Sequence, residues 1–555
     1  MANLSELVFL PLGGLGEIGM NMGLYGIGPK GRRKWLMVDC GVSFAGPDAP
    51  GIDLILPDIS FIEKERKNLL GIVITHAHED HFGALADLWP RLGAPVYMTP
   101  FAAGLLNVRR LQEPGAPKIP VKVVKQNGRF TLGPFDVELI PVAHSIPESC
   151  GLAIRTEHGT VVHTGDWKID PTPVTGLPTD ERRFREIGAE GVLALVADST
   201  NVVRDGESPS EADVAKTLKA LIAGSAARVA VTTFASNVAR LRIVAEAAAA
   251  AGRQVVIAGR AMDRVVDVAR ELGYLDGLPP FRSADGFDKI PRDRVVALMT
   301  GSQGEPRAAM ARAALDEHPE LTFAPGDRII FSSRTIPGNE KAVGAVINGL
   351  AKQGIEVITD RTHLVHVSGH PRRAEMRKML EWVKPKIVIP AHGEAMHLTE
   401  HAELARAAGV PHVVRAFNGD IVQIAPGEPG ILDQAPAGRV YKDGDLLVPA
   451  SAPTISERRK LSFAGIVSVA VAVERSGEIA GDAVIMIAGL PPKTADGTQM
   501  HEFVEGVVDD LLDQLPKAKR RDPQALAQAI ERAVRGAVAR KWDKKPLCHA
   551  LVVEV

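Results

Sequence analysis

At 555 residues the chain is too long for one hydrophobic core and long enough for roughly three or four domains. Hydrophobic residues make up 45% and charged residues 24%, the balance of an ordinary water-soluble globular protein. A formal net charge of −2 argues against a protein-wide basic field for holding nucleic acid, though not against a local basic channel. Three widely separated cysteines (Cys40, Cys150, Cys548) argue against a disulfide scaffold and point to a reducing compartment.

The N-terminal stretch has no basic run, and its apolar segment carries Glu6 and stops at Pro11, so no secretory signal is expected. Apolar stretches such as AGIVSVAVAV fall short of the roughly 18 residues of a membrane span, and a cytoplasmic chain without membrane contact is expected. Residues 13–21, GGLGEIGMN, spell G-x-G-x-x-G through Gly14, Gly16 and Gly19. Asp39 follows about twenty residues later, the outline of a dinucleotide fingerprint. That reading needs a helix starting within the motif, and Gly23, Gly26, Gly28, Pro29 and Gly31 forbid one. The prediction is strand, glycine-rich turn, strand, then a hairpin into WLMVDCG, with no dinucleotide bound.

Through residue 207, short β-branched runs (LVFLPL, LLGIVITHAH, FDVELIPVAHS, GTVVHTGD, VLALVADST) alternate with Gly and Pro punctuation and predict a β-rich sandwich with helices outside. From 208 the texture changes. SPSEADVAKTLKALIAGS offers Ser208 or Ser210 as a helix cap with acids in the first turn. The runs that follow, among them RVAVTTFASNVARLRIVAE and RQVVIAGRAMDRVVDVARELG, each read as strand then helix, the rhythm of a parallel-sheet α/β domain. The β-rich texture resumes at 362. Residues 208–361 are therefore expected to be inserted into a first domain made of 1–207 and 362–434. A turn-rich polar stretch at 435–460 reads as a linker, and 461–555 as a small α+β C-terminal domain. Basic residues gather in its last part (Lys517, Lys519, Arg520, Arg521, Arg532, Arg535, Arg540, Lys541, Lys544, Lys545). They suit a solvated helix face, an oligomer contact or an accessory nucleic-acid surface.

Chemistry concentrates in GIVITHAHEDHFGAL. An apolar strand runs into a loop carrying His76, His78, Asp80 and His81, four ligand-type side chains within six residues. Imidazoles two apart on extended backbone point the same way, so His76 and His78 can share one ion, while Asp80 and His81 can serve a second. Three more candidates each end an apolar run: His144 in VELIPVAH, Asp166 in TVVHTGD and His392 in KIVIPAH. Nitrogen and carboxylate donors without cysteine suit Zn²⁺ or Mn²⁺.

The set H-x-H-x-D-H, distant His, distant Asp, distant His resembles the metallo-β-lactamase superfamily. The resemblance implies an αββα sandwich, one metal on His76, His78 and His144, and a second on Asp80, His81 and His392, with Asp166 bridging. Asp39 would orient the loop from outside the ligand shell, and Glu17 or Asn21 would reach the metals' surroundings or the substrate. Within and around the inserted block, Asp198 in VADST, His370 in HVSGHP and His392 in PAHGE resemble the motifs of the β-CASP nucleases. Histidine at the last of these positions implies RNA rather than DNA. PLGGLGEIGMN, THAHEDHFGAL, HTGDWKID, DSTN, TTFASNVAR, TGSQGEP and LVHVSGHP together resemble the ribonuclease J family of bacteria.

That resemblance implies a cytoplasmic ribonuclease acting 5′→3′ from a monophosphorylated, single-stranded RNA end, with some internal cleavage, in rRNA processing and mRNA turnover. It implies two divalent ions per subunit, zinc first with manganese or magnesium as alternatives, and a metal-held hydroxide attacking the phosphodiester. Asp80 and Asp166 would aim it, and His370 with Asp198 would move the proton; Asp198 is equally a cap for its own Asp-Ser-Thr-Asn turn. Ser236 and Asn237 would grip the RNA 5′ end together with His366, Val367, Ser368, Gly369 and His370, although Ser236 also suits a plain helix cap. A homodimer or homotetramer, and contacts with RNA-decay or ribosome-associated proteins, are implied as well. The competing readings are another β-CASP nuclease, cutting internally or acting on DNA, and a small-molecule hydrolase such as a lactonase, which has no need of the insertion.

Overall fold

A computed structural model describes residues 5–555. The chain divides into two compact units. One runs up to Phe44 and resumes over Leu54–Val440; the other combines Ala45–Asp53 with Tyr441–Val555.

In the larger unit two mixed sheets lie face to face. The first has eight strands, in spatial order Gly430–Gln434, Asp420–Ala425, Glu6–Gly13, Met22–Gly28, Lys34–Val38, Leu69–Val73, Val96–Met98 and Val121–Val123. The second has seven: Arg129–Leu132, Phe135–Pro141, Cys150–Thr156, Gly159–His163, Val192–Asp198, Ile387–Ala391 and His412–Val413. Phe9, Tyr25, Val38 and Val73 from the first meet Val137, Ile154, Val196 and Ile389 from the second in one buried layer. The outer face of the second sheet is covered by Glu181–Glu190, Arg373–Val383 and Ala395–Ala407, through Phe184, Ile187, Met379 and Trp382. This is the αββα arrangement expected. The glycine run forms no helix: Glu6–Gly13 turns through Gly14, Gly16 and Gly19, all at positive φ, into Met22–Gly28.

Neighbouring strands Val192–Asp198 and Ile387–Ala391 pair in parallel, Asp198 beside Ala391, yet 188 residues lie between Asp198 and Ile387. Inside that excursion five parallel strands stand in the order Gln254–Ala258, Val295–Met299, Val229–Thr232, Arg328–Phe331 and Glu356–Ile358. The central strands are buried throughout (Val295–Met299, Val229–Thr232) and the others carry a polar residue only at the first position, as parallel strands flanked by helices require. The first helix, Glu211–Ala223, is capped by Ser210, whose hydroxyl accepts from the Ala212 amide.

Four buried charges lock the inserted sheet to its host. Lys168 Nζ donates to Asp170 Oδ2 at 2.8 Å, and Asp170 Oδ2 also accepts the Glu211 amide at 3.0 Å. Glu211 Oε2 takes Arg240 Nη2 at 2.8 Å, and Arg240 Nη1 reaches the Val365 carbonyl at 2.8 Å and both oxygens of Ser332. Charges this deep are tolerable only when paired and hydrogen-bonded.

The smaller unit is a three-stranded sheet, Val484–Ala488, Ile466–Val473 and Leu547–Glu554, with helices Met500–Gln514 and Pro523–Trp542 on one face. Val467, Val469 and Val471 alternate inward against Val504, Val508, Ile530 and Val534. The stretch read as a linker is instead regular structure: strands Arg439–Asp443 and Leu446–Pro449, then helix Thr454–Ala464. Its glycines and prolines mark tight turns between short elements rather than a loose tether. Part of the C-terminal basic cluster is spent locally: Lys517 pairs with Glu478, Lys541 with Asp496, and Lys544 lies over the Phe463 ring. No helix among the described residues is long and apolar enough to cross a membrane.

Removing one partner of the Glu211–Arg240 pair leaves an uncompensated buried charge, so Arg240→Met should destabilise the protein by about 3–5 kcal/mol. Thermal or urea unfolding of the larger unit reads this directly. Glu211→Leu combined with Arg240→Met should recover part of the loss, and additivity of the two single effects would show that the pair is not coupled.

Candidate metal centre

Every candidate ligand sits just past the end of a strand, where backbone is held by the sheet while the side chain is free to turn inward. The first sheet supplies the loop after Leu69–Val73. The second supplies the ends of Phe135–Pro141, Gly159–His163, Val192–Asp198 and Ile387–Ala391. Two ligand sets result. His76, His78, His144 and Asp166 place donor atoms within 4.8 Å of one another, and so do Asp80, His81, Asp166 and His392.

In the first set His76 Nε2 and His144 Nε2 lie 3.1 and 3.0 Å from His78 Nδ1, and both lie 3.7 Å from Asp166 Oδ2. In the second, Asp80 Oδ2 is 3.2 Å from His392 Nε2 and 3.6 Å from His81 Nε2, while Asp166 Oδ2 is 3.2 Å from His81 Nε2. Donors bound at 2.0–2.1 Å around one tetrahedral ion stand about 3.4 Å apart, which is the spacing found. Asp166 is 2% exposed, and its Oδ1 has no hydrogen-bond partner although buried. An orphaned carboxylate oxygen facing His392 Nε2 at 3.6 Å is what a cation site requires. The residues fit a pair of divalent ions.

The electrostatics agree. Burial, reinforced by neighbouring imidazoles, holds His76 and His144 well below the ordinary histidine range and brings His78 down to about 4, the neutral state that donates a lone pair. Burial also opposes charge on His81 and His392, but Asp166 and Asp80 outweigh it and lift His81 well above the usual value and His392 to about 9. A field that favours protons at these two rings favours cations in the same place.

Hydrogen bonds outside the set fix the rings. Asp39, at φ 64°, accepts the Thr75 amide on Oδ1 at 2.8 Å, and on Oδ2 both the Thr75 hydroxyl at 2.9 Å and His81 Nδ1 at 2.7 Å. Thr75 Oγ1 in turn faces His76 Nδ1 at 3.0 Å. His144 Nδ1 donates to the Gly369 carbonyl at 2.7 Å, and His392 Nδ1 meets Thr200 Oγ1 at 2.8 Å. Such outer contacts set tautomer and orientation. The glycine turn belongs to this scaffold. The Asn21 amide and side chain both donate to the Asp80 carbonyl, at 2.9 and 3.1 Å, and Leu15–Gly16 pairs with Gly393–Glu394 just beyond His392. Glu17 turns away and accepts Asn418 and Arg439.

Asp198 and His370 meet at 2.8 Å (Oδ2 to Nδ1), with His370 Nδ1 3.8 Å from Asp166 Oδ2. The other Asp198 oxygen accepts the Thr200 amide at 2.8 Å, so the turn-capping role coexists with the His370 contact. Burial would lower His370, yet Asp198 and Asp166 raise it. Ser368 Oγ and the His370 carbonyl both accept Asn201 Nδ2, at 2.9 and 3.1 Å. Gly369 packs so closely on His144 that a Cβ would lie 2.5 Å from its ring. His366 is half-buried, its Nδ1 lacks a partner, and burial, then the charges of Arg240 and Arg334, hold it well below the usual range. Ser236 makes no side-chain hydrogen bond among the described residues, and the helix cap falls instead to buried Asn237, whose Oδ1 accepts the Arg240 amide at 3.0 Å. With its carbonyl oxygen spent, Asn237 has only its amide N–H groups to offer an anion.

Sequence reasoning missed most of the outer frame. Thr200, Asn201 and Ser199 (through His401 Nδ1 at 2.9 Å) all engage the site, so all four side chains of DSTN are used. His163 faces the Tyr25 hydroxyl at 2.9 Å.

Four family models match in chain order: the metallo-beta-lactamase superfamily over 21–222, the ribonuclease J beta-CASP domain over 226–350, a Zn-dependent metallo-hydrolase RNA specificity domain over 354–415, and the ribonuclease J C-terminal domain over 453–555. The chain is 54% identical over all 555 residues to ribonuclease J of Sinorhizobium meliloti, covering 98% of that protein. It is 39% identical to ribonuclease J of Mycolicibacterium smegmatis over 98% of this chain and 96% of that one. It is 35% identical to the Helicobacter pylori protein of the same name over 97% and 78%. A crystal structure of a protein of unknown function from Enterococcus faecalis V583 shares the fold, at TM-score 0.51 and 16% identity over 75% of this chain and all of that one.

Asp39→Asn should keep the fold but weaken divalent-ion binding about 10–100-fold, since the amide cannot serve Thr75 and His81 together. Competition against a chromophoric chelator measures it; unchanged affinity would remove Asp39 from the frame.

Proposed function

From a chain that belongs to the ribonuclease J family of metal-dependent RNA hydrolases, we propose a 5′→3′ exoribonuclease that prefers a 5′-monophosphorylated end and also cuts internally. It holds two divalent ions, zinc first, on His76, His78, His144, Asp80, His81 and His392 with Asp166 shared. Bound ions supply Lewis-acid activation of water and neutralise charge on a phosphodiester.

The observation that carries the reading is the third cluster, Asp198, His370 and Asp166, which shares its central carboxylate with both ligand sets. His370 is hydrogen-bonded to Asp198 and is not needed as a ligand. Its ring is partly open to the cleft, so it can hold and pass a proton at the leaving oxygen. Next to it, His366–Gly369 forms one wall. The charges of Arg334 and Arg372 depress Arg204 after its own burial, and Arg334 also acts on His366, so that wall carries a group of cations. These cations, of which Arg334 also pairs with Asp360, support recognition of a terminal phosphate, a role that Ser236 and Asn237 at the start of helix Val238–Ala250 would share. The exposed apolar residues Val484, Met486, Leu551 and Val553 on the C-terminal sheet support a homodimer or homotetramer. Work in the cytoplasm on rRNA and mRNA, alongside RNA-decay or ribosome-associated proteins, rests on the resemblance alone.

One RNA sequence bearing a 5′ monophosphate, triphosphate or hydroxyl, with the matching DNA, tests this. Stepwise mononucleotide release from the monophosphate RNA, abolished by chelator, is expected; equal attack on DNA, or activity surviving Asp80→Ala with His81→Ala, would sink it. Loss of the proton-transfer group in His370→Ala should slow turnover about 10²–10⁴-fold at unchanged metal content. A full rate in that variant would remove His370 from the chemistry.

A further inference from the structure

A second cavity opens in the inserted domain, away from the metal centre and sharing no residue with it. Its volume is about 720 Å³, within the roughly 300–1,000 Å³ span of small-molecule sites. It lies past the carboxyl ends of Gln254–Ala258 and Val295–Met299, where parallel α/β sheets bind ligands. Arg260, Arg264, Arg307 and Arg312 all line it. Among the described residues none of the four has a carboxylate within ion-pair distance: Arg264 donates to Gln112 Oε1 at 3.2 Å and acts on Glu79 only at longer range, and Arg312 donates to the Glu317 carbonyl at 3.3 Å. Elsewhere in the larger unit arginines are commonly matched, as Arg109, Arg183, Arg240, Arg328 and Arg373 show. Four guanidinium groups, against three carboxylates, leave the lining with a surplus of cationic donors that an anion can take up.

The helix that forms one wall, Arg260–Glu271, begins without a side-chain cap, although its Met262 and Asp263 amides donate to the Gly259 carbonyl. Its N-cap is Gly259 at φ 141°. A Cβ there would lie 2.5 Å from the Thr300 side chain, so the serine, threonine or aspartate that would cap the helix from within is excluded. The remaining lining divides into an apolar floor (Ile257, Ala258, Ala284, Ala309) and the exposed carboxylates Asp263, Asp285 and Glu320, acceptors for hydroxyl or amino groups. Asp285 already accepts the Ser283 hydroxyl.

We propose that this cavity is a second nucleotide site, taking phosphate on Arg260, Arg264, Arg307 and Arg312, sugar hydroxyls on the carboxylates and a base over the apolar floor. The nucleotide is either a free mononucleotide or a unit of the RNA strand that the metal centre is degrading. Guanidinium groups bind phosphate as bidentate, charge-assisted pairs, and carboxylates in the same cavity discriminate against bare inorganic anions.

Arg260→Ala with Arg307→Ala tests it in the full-length protein; both side chains are exposed, so folding is not at stake. Lys219→Ala with Lys352→Ala, exposed and outside the cavity, is the control. The probes are AMP by calorimetry, with Asp80→Ala and His81→Ala present to silence the metal centre, and hydrolysis of a 5′-monophosphorylated dinucleotide and a 30-mer across a salt series. If the ligand is free nucleotide, AMP binds one site per chain and the arginine pair weakens it at least tenfold. If it is part of the strand, AMP fails to bind there, but KM for the 30-mer rises at least fivefold. Its log–log salt dependence then shallows by about 0.7 per lost phosphate contact. The dinucleotide rate stays unchanged in both cases, which separates this site from the metal centre. AMP binding and 30-mer kinetics both matching the control would overturn the proposal. If neither substrate is cleaved by any variant, direct binding of the 30-mer to the Asp80→Ala, His81→Ala protein, weakened at least fivefold by the arginine pair or matching the control, decides it together with AMP calorimetry.

Discussion

The carboxylate of Asp166 is the constraint around which the larger unit is arranged. It is buried, belongs to all three donor clusters, and has four imidazoles within 3.8 Å of one oxygen. A lone carboxylate at that depth would be expensive to ionise. Burial pushes it that way, but His392, His81 and His370 hold Asp166 far below the usual carboxylate range. The same neighbours that keep it ionised are members of the donor clusters it joins. Stability and chemistry are thus one problem, solved by bringing strand ends from both sheets to one point.

The glycine turn shows how the scaffold meets that demand. Gly14, Gly16 and Gly19 take positive φ because the chain must double back within eight residues, putting the Asn21 amide on Asp80 and the Leu15–Gly16 backbone against Gly393. Gly41 has no room for a side chain: a Cβ would fall 1.7 Å from the Asp80 carbonyl. The resemblance to a cofactor fingerprint arises because tight backbone approach requires glycine whether the neighbour is a pyrophosphate or a metal-binding loop.

Ligands were legible from sequence because each follows an apolar strand, a local pattern in which a charged or imidazole side chain stands out. His76, His78, Asp80, His81, His144, Asp166 and His392 all come together, and so do Asp198 and His370. The frame was not legible. Thr200, Asn201, Thr75 and the Lys168–Asp170–Glu211–Arg240 chain act through partners up to 206 residues away in the same network, as Ile169 and Glu375 show, and nothing local marks a buried hydroxyl or arginine as paired. Asn237 also caps its helix, a role that sequence did not separate from anion binding for a related reason. Caps and anion sites draw on the same side chains at the same helix position, and only the Arg240 amide, three residues on, tells them apart. At 435–460 the turn residues were read correctly as turns, but the short elements between them were below the length at which periodicity speaks.

The position of the insertion explains why a nuclease rather than a small-molecule hydrolase can be built here. The excursion leaves the sheet at Asp198, comes back to that same strand end at His366–His370, and only then crosses through helix Arg373–Val383 to Ile387, which pairs with Ala194 at the opposite end of the strand. The departing end contributes Asp198, Thr200 and Asn201, and the returning end contributes His366–His370. These two segments are stitched together by the Asp198–His370 and Asn201–Ser368 contacts. The buried charges then fix the angle of the inserted sheet, since Arg240 holds the Val365 carbonyl one residue before His366 while Glu211 ties it back to Asp170 near Asp166. A domain placed this way cannot shift without carrying the His366–Gly369 wall with it. The proposed phosphate contacts would thereby be concentrated beside the candidate metal centre in a protein whose net charge is slightly negative.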